Sequence, residues 1–225
     1  TVYDPDMAKA FRKVKEQGGL IIHNHPGWRR PTMDKSEEQV RIYGEGWVDG
    51  IEVANGTTLY PKMIDRCVDE KLFISASTDV HRPSSQVWSR DCGIFRTMTF
   101  ILAKECTEKA IKDALLKRRT IGYSANNLIG EEVWLKEFIN EAVDCKVVAV
   151  NEKKGHRGFK LTNTCSIPFI LRRGKLVYVL NPFQSLHINI SRDKNTGEYY
   201  KPEFTVDNMW TVGDKHPKIH IAIDK

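Results

Sequence analysis

Four side chains of types that bind divalent metal ions stand just beyond apolar runs of this sequence. His23 and His25 follow Leu20-Ile21-Ile22, and Asp79 and His81 follow Leu72-Phe73-Ile74-Ser75-Ala76. A further polar residue, Asn55, ends the run Gly50-Ile51-Glu52-Val53-Ala54. Imidazole and carboxylate together suit zinc, manganese or iron. Residues two apart in an extended segment point the same way, so His23 with His25, and Asp79 with His81, could each face one ion. Spacing alone leaves the alternative open, since strand-end histidines also serve simply to bond neighbouring carbonyls.

The elements that would carry these residues alternate in kind. A first helix is expected from Asp4 as cap and Pro5 at the first helical position, with Met7, Ala8, Phe11 and Val14 on one face and Gly18-Gly19 at its end. Ser36 with Gln39 has the form of a capping box. Leu59, Met63, Ile64, Cys67 and Val68 fall on one helix face, and a strand over 98–102 leads to a helix burying Ala110, Ile111, Ala114 and Leu115. Strand and helix in turn predict parallel α/β structure, in which the strands' carboxyl ends converge on a functional mouth. Four or five such units do not close a (β/α) barrel, so either the sheet is open or the first half of a barrel precedes Thr1. The chain opens directly into an apparent helix without Met, which reads as a start that has been removed.

The texture changes after a helix over about 130–142, which buries Trp134, Leu135, Phe138 and Ile139. Beyond it, strands are expected near 145–151, 158–164, 168–172, 175–180, 185–191 and 217–223, as in a small antiparallel sandwich. The organisation is therefore 1–127 as the α/β part, 128–143 as a linker helix and 144–225 as a β domain.

Composition narrows the function classes. The 225 residues are 40% hydrophobic and 28% charged, with a formal charge of +6 and a pI near 9.0. That balance suits an anionic substrate. No basic stretch is interleaved with aromatics as single-strand nucleic-acid binding requires. No apolar run approaches the roughly 20 residues that cross a bilayer. Cys67, Cys92, Cys106, Cys145 and Cys165 form no CxxC pair, which argues against a structural zinc site or a disulfide framework. Cys67 is expected as a small core residue.

Three segments in order, Gly18-Gly-Leu-Ile-Ile-His-Asn-His25-Pro-Gly-Trp28, Gly50-Ile-Glu52-Val-Ala-Asn-Gly56 and Ser77-Thr-Asp79-Val-His81-Arg-Pro83, resemble the later half of PHP-family metal-dependent phosphoesterases. Within that family the His-Pro-Gly-Trp motif and the Gly130-Glu-Glu-Val-Trp-Leu135 segment are most similar to the Sb-PDE type, which carries an appended β domain. The likeness spans roughly 5–140 and, more faintly, the rest. It implies a partial distorted (β/α)7 barrel followed by a small antiparallel β-sandwich. His25, Asp79 and His81 would be ligands of a divalent metal cluster (zinc, manganese or iron), and Asp79 and His81 would thereby carry the catalysis. His23 is a weaker ligand candidate, and Glu52 would either support the site or be simply buried. The family's opening His-x-His motif and the segments after it are not in this sequence, so most of the cluster's ligands would have to come from a missing N-terminal half.

The reaction implied is metal-assisted hydrolysis of a phosphate ester on a small phosphorylated substrate. Arg82 and Arg96 would neutralise the phosphate and Trp28 would wall the pocket, although a solvated arginine and a core tryptophan are the plainer roles for these residue types. Two other readings stand beside this one. Related metal barrels cleave non-phosphate bonds, and the chain could instead be a non-catalytic piece whose β domain binds a partner or a glycan through Tyr199, Tyr200 and Trp210. Relatives of this type are often exported, so a periplasmic or exported location is what the resemblance implies.

Overall fold

The computed structural model describes residues 4–30, 32–83 and 95–223, so Cys92 lies outside the described residues. The chain divides into two compact units, Thr1–Glu131 with Thr211–Asp214, and Glu132–Trp210 with Lys215–Lys225. No helix among the described residues is long and apolar enough to cross a membrane.

In the first unit, helix α1 (Met7–Glu16) is capped by Asp6, whose carboxylate accepts from the N–H groups of Ala8 (3.0 Å) and Lys9 (3.4 Å). This corrects the expectation of Asp4, which instead accepts from the Asp6 N–H and pairs with Lys13 at 3.0 Å. Strand β1 is only Ile22–His23. Helix α2 (Glu37–Gly44) opens on the expected capping box, Ser36 and Gln39 each bonding the other's N–H. Strand β2 (Gly50–Asn55) is the centre of a sheet, parallel to β1 on one side and to β4 (Phe73–Ser77) on the other.

Between them, β3 (Thr58–Leu59) folds back antiparallel on β2 around Gly56, whose φ is +56°. Glycine takes that left-handed conformation without steric cost. The hairpin removes Leu59 from the helix its spacing predicts. Helix α3 (Lys62–Asp69) begins after Pro61 and buries Met63, Ile64 and Cys67. Burial pushes the Cys67 thiol up to about 12, as suits a small core residue.

The parallel pattern ends after β4. Strand β5 (Met98–Ile101), helix α4 (Glu108–Leu116), β6 (Thr120–Ser124) and β7 (Asn127–Gly130) follow, and β5-β6-β7 pair antiparallel. The continued parallel order expected from the sequence is thus overturned here. Ala125 and Asn126 both take positive φ (47° and 64°), making the tight turn that reverses the chain from β6 to β7.

The second unit begins with α5 (Glu132–Ala142), which runs directly into β8 (Val143–Asn151). Strands β9 (His156–Asn163), β10 (Phe169–Arg173), β11 (Leu176–Leu180) and β12 (Ser185–Ser191) follow near their expected places. The sequence reading did not anticipate β13 (Glu203–Val206) or β14 (Met209–Trp210), and β15 (Lys218–His220) closes the series. Two antiparallel sheets result, ordered β12-β9-β8 and β11-β10-β13-β15. Phe159, Leu161, Phe169, Leu171, Phe204 and Ile219 are buried in this unit. Asn163 and Asn208 are buried too, and bond backbone groups flanking the start of β10.

In the first unit, hydroxyl groups join the parallel strands to the antiparallel ones. The Thr99 hydroxyl lies 2.8 Å from the Ala76 N–H and 3.0 Å from the Ala76 carbonyl, accepting from one and donating to the other. Thr120 accepts from the N–H of Ile74 at 3.1 Å. The hydroxyls of Thr97 and Ser124 both reach the carbonyl of Gly56. Gly122 permits the approach, since a Cβ there would stand 3.2 Å from Ala76 and 3.2 Å from Val53. Side chains thus satisfy backbone groups that would otherwise be buried unpaired. Thr99→Val keeps the shape and removes both bonds at Ala76. Urea unfolding should show a loss of about 1–3 kcal/mol, with no change in the strand content seen by circular dichroism.

Candidate functional site

Glu52 lies in the middle of β2 and is fully buried, yet its side chain is the polar hub of the parallel sheet. One carboxylate oxygen accepts from the backbone N–H of His25 and from the Asn55 side-chain amide at 3.1 Å. The other accepts from the Ser77 hydroxyl. Three donors from beyond β1, the end of β2 and the end of β4 therefore converge on one carboxylate. Charge-assisted bonds of this kind are about twice as strong as neutral ones. They pin the segments carrying His25 and Asp79 to the same edge of the sheet.

His25 and Asp79 both have left-handed backbone, with φ of 33° and 51°. The His25 ring is half-buried and meets Trp28 edge-on at 5.5 Å between centroids. Trp28 itself is 61% exposed, and the Arg29 guanidinium lies 4.5 Å from its ring centre. Gly27 makes room for Tyr60, because a Cβ there would sit 2.6 Å from that ring. Burial, and then the negative charges of Glu52 and Asp79, raise the Tyr60 hydroxyl above its usual range.

Asp79 and His81 approach to 3.6 Å, with side chains 46% and 87% exposed. Arg82 and Arg96 are exposed. The donor types of His25, Asp79 and His81 are those of a divalent metal site. Among the described residues, however, no three His, Cys, Asp or Glu side chains converge closely enough to hold an ion. The donor chemistry fits and the number does not, so these residues alone do not make a metal centre.

His23 occupies a different environment from His25. Its Nδ1 is 2.6 Å from the Tyr43 hydroxyl and its Nε2 is 3.3 Å from the Gln39 amide. Both ring nitrogens are thus engaged by α2. Burial, and then the positive charges of Arg66, His25 and Arg30, lower its pKa to about 4. The structure does not bring His23 together with Asp79 and His81. Ser77 and Tyr60 are site residues that the sequence reading missed, since a serine or tyrosine beside a strand end carries no spacing signal. Asn55 is visible in the sequence as a strand-end residue and Glu52 as either a support of the site or a buried residue, but the bond between them is not.

In the second unit each of the three aromatic candidates has its own partner. Tyr199 donates to Glu152 and carries Arg157 over its ring, Tyr200 donates to Asp193, and Trp210 packs against His216 at 4.4 Å.

The His23 environment has a measurable consequence. The unfolded chain takes up a proton near 6.5, whereas the native imidazole does so only near 4. Native stability is therefore fully present above pH 6.5 and declines as pH falls through this window. The Cε1–H resonance of His23 should hold its neutral position from pH 7.5 to about 5, and a midpoint near 6.5 in the native protein would contradict this.

No protein-family model matches the chain, and no curated protein does. Among solved structures it is similar to a two-domain protein from Bacteroides vulgatus that contains a predicted PHP-like metal-dependent phosphoesterase. The two share 31% identity, with a TM-score of 0.90 over 98% of this chain. The chain spans 66% of that protein's length. Across nearly all its residues, then, this chain shares the fold of a two-domain, PHP-like protein.

Proposed function

We propose that this chain forms part of a PHP-type metal-dependent phosphoesterase that hydrolyses a phosphate ester of a small substrate. The observation that carries the reading is the Glu52 tie, which holds the His25 and Asp79 segments at one edge of a parallel sheet. The similarity to a protein containing a predicted phosphoesterase supports it. In this reading His25, Asp79 and His81 are a minority of the metal donors, and the remainder belong to polypeptide outside these 225 residues. The finer assignment, to the Sb-PDE type with its distorted barrel and appended sandwich, rests on the His25-Pro-Gly-Trp28 motif.

The chain's own residues then have distinct tasks. Glu52 positions the backbone at His25 and Ser77 and does not touch the substrate. Arg82, which follows the Asp79–His81 pair, offers a planar fork of donors for phosphoryl oxygens, and Arg96 a second one. Trp28 supplies an exposed apolar face beside His25.

The test is hydrolysis of bis(p-nitrophenyl) phosphate by the full-length protein. Activity should vanish with a chelator and return with manganese, zinc or iron. Asp79→Asn and His81→Ala should each lower kcat by roughly 100-fold or more. Cleavage of an amide but of no phosphate ester would refute the phosphoesterase reading and favour a hydrolase of a non-phosphate bond.

Glu52→Gln separates positioning from chemistry. An amide NH2 would face one of the three donors, so the variant should lose about 1–3 kcal/mol of stability. Its kcat should fall roughly 10–100-fold with little change in KM. Full activity in this variant would remove Glu52 from the positioning role.

A further inference from the structure

The second unit carries a concentration of positive charge that the candidate site does not use. Two reversals stand side by side there, one over 152–155 between β8 and β9 and one over 192–197 after β12. Together they line a depression of about 600 Å³, with Lys153, Lys154, Arg192 and Lys194 at its rim beside Asp193. That volume is within the range of small-molecule sites, roughly 300–1,000 Å³.

The two reversals are fixed to each other. The N–H of Arg192 donates to the Gly155 carbonyl at 2.9 Å, and Ser191 bonds His156 at 3.2 Å. Gly155 has φ +62°, and a Cβ there would stand 2.9 Å from the Arg192 Nε, so the arginine lies across the first turn. Asp193 fixes the second turn. One of its oxygens accepts from the N–H groups of Asn195 (2.7 Å) and Thr196 (3.0 Å), and the other from the Tyr200 hydroxyl (2.6 Å).

The four cations outnumber the acids of the two turns. The turn acids Glu152 and Asp193 are each held by a tyrosine hydroxyl, from Tyr199 and Tyr200 respectively. Among the described residues, none of the four rim cations forms an ion pair. Elsewhere in the same unit some cations are paired, Arg172 with Asp207 and Lys218 with Glu203. Four cations against two carboxylates leave a net positive charge around a concave, pre-fixed backbone, which attracts an anion, and the cations' spread around the rim favours a ligand with more than one charged group.

We propose that these paired reversals bind a small ligand carrying two or more phosphate or sulfate groups. The site is separate from the residues assigned to ester hydrolysis, and the inference does not rest on that function. Lys153, Lys154 and Lys194 supply flexible point charges, and Arg192 a planar donor fork whose stem lies across Gly155.

Titration calorimetry on the full-length protein tests this, with pyrophosphate and a disulfated disaccharide as probes. At least one should bind, more weakly as salt is raised. The triple variant K153A/K154A/K194A should weaken that binding by about 10–100-fold while leaving the unfolding midpoint unchanged. Binding of pyrophosphate alone identifies the ligand as phosphorylated, binding of the disaccharide alone as sulfated, and binding of both as a general oxyanion pair. The same affinity should persist in the D79N/H81A variant, which separates this site from the first unit. Unchanged binding in the triple variant, loss of binding only in D79N/H81A, or no binding of either probe overturns the proposal.

Discussion

A fully buried carboxylate with three donors, that of Glu52, constrains the first unit more than any other single group. Glu52 sits where the pattern of its strand calls for an apolar side chain, and it is as fully buried as its neighbours Ile51 and Val53. A lone carboxylate there would be strongly unfavourable. It is tolerable because the His25 N–H, the Asn55 amide and the Ser77 hydroxyl all turn towards it. The dependence runs both ways. The His25 N–H lies beyond β1 and the Ser77 hydroxyl at the end of β4, so satisfying Glu52 ties the segment of His25 and the strand end before Asp79 to β2.

The same logic governs the junction of parallel and antiparallel strands. After β4 the sheet is not extended by another parallel strand. Thr99 and Thr120 instead present hydroxyls to the backbone groups of Ala76 and Ile74. A hydroxyl both donates and accepts, so Thr99 serves the N–H and the carbonyl of one residue at once. Gly122, with no side chain, lets β6 come close enough for this to work. The carbonyl of Gly56, at the β2 turn, is held in the same way by Thr97 and Ser124. The strand ends that carry the candidate site are thus braced from behind by small polar residues as well as from within by Glu52.

What could be read from the sequence divides along the range of the interactions. The capping box at Ser36 and Gln39, the buried face of Met63, Ile64 and Cys67, and the parallel strands at 50–54 and 72–76 are short-range patterns, and the structure has them. Asp4 and Asp6 carry the same capping chemistry, and only geometry selects Asp6 as the cap of α1. Leu59 has helical spacing but belongs to β3, because the turn at Gly56 overrides its periodicity. The antiparallel return of β6 and β7 depends on a turn at Ala125-Asn126 that lacks the usual glycine, so nothing local announced it. The strand-end positions of His25, Asp79 and His81 were legible. The role of Glu52, and the engagement of His23 by Tyr43 and Gln39, arise from contacts between residues far apart in sequence.

Backbone strain at the strand ends ties these points together. His25 and Asp79 are both non-glycine residues with left-handed φ, a conformation that costs L-residues roughly 1–2 kcal/mol each. Such strain persists only where surrounding contacts over-determine the backbone. At His25 the determining contact is identifiable, since its own N–H is the group that Glu52 accepts. At Asp79 the anchor lies two residues earlier, in the Ser77 hydroxyl bond to the same carboxylate. A regular continuation of β1 or β4 would lack these left-handed bends and would send both side chains elsewhere along the strand axis. The bends place an imidazole and a carboxylate on the loops after β1 and β4, which flank β2. One buried glutamate therefore links the strain at both positions, and two of the three hydrogen bonds that offset the cost of burying its charge also hold the segments that bend.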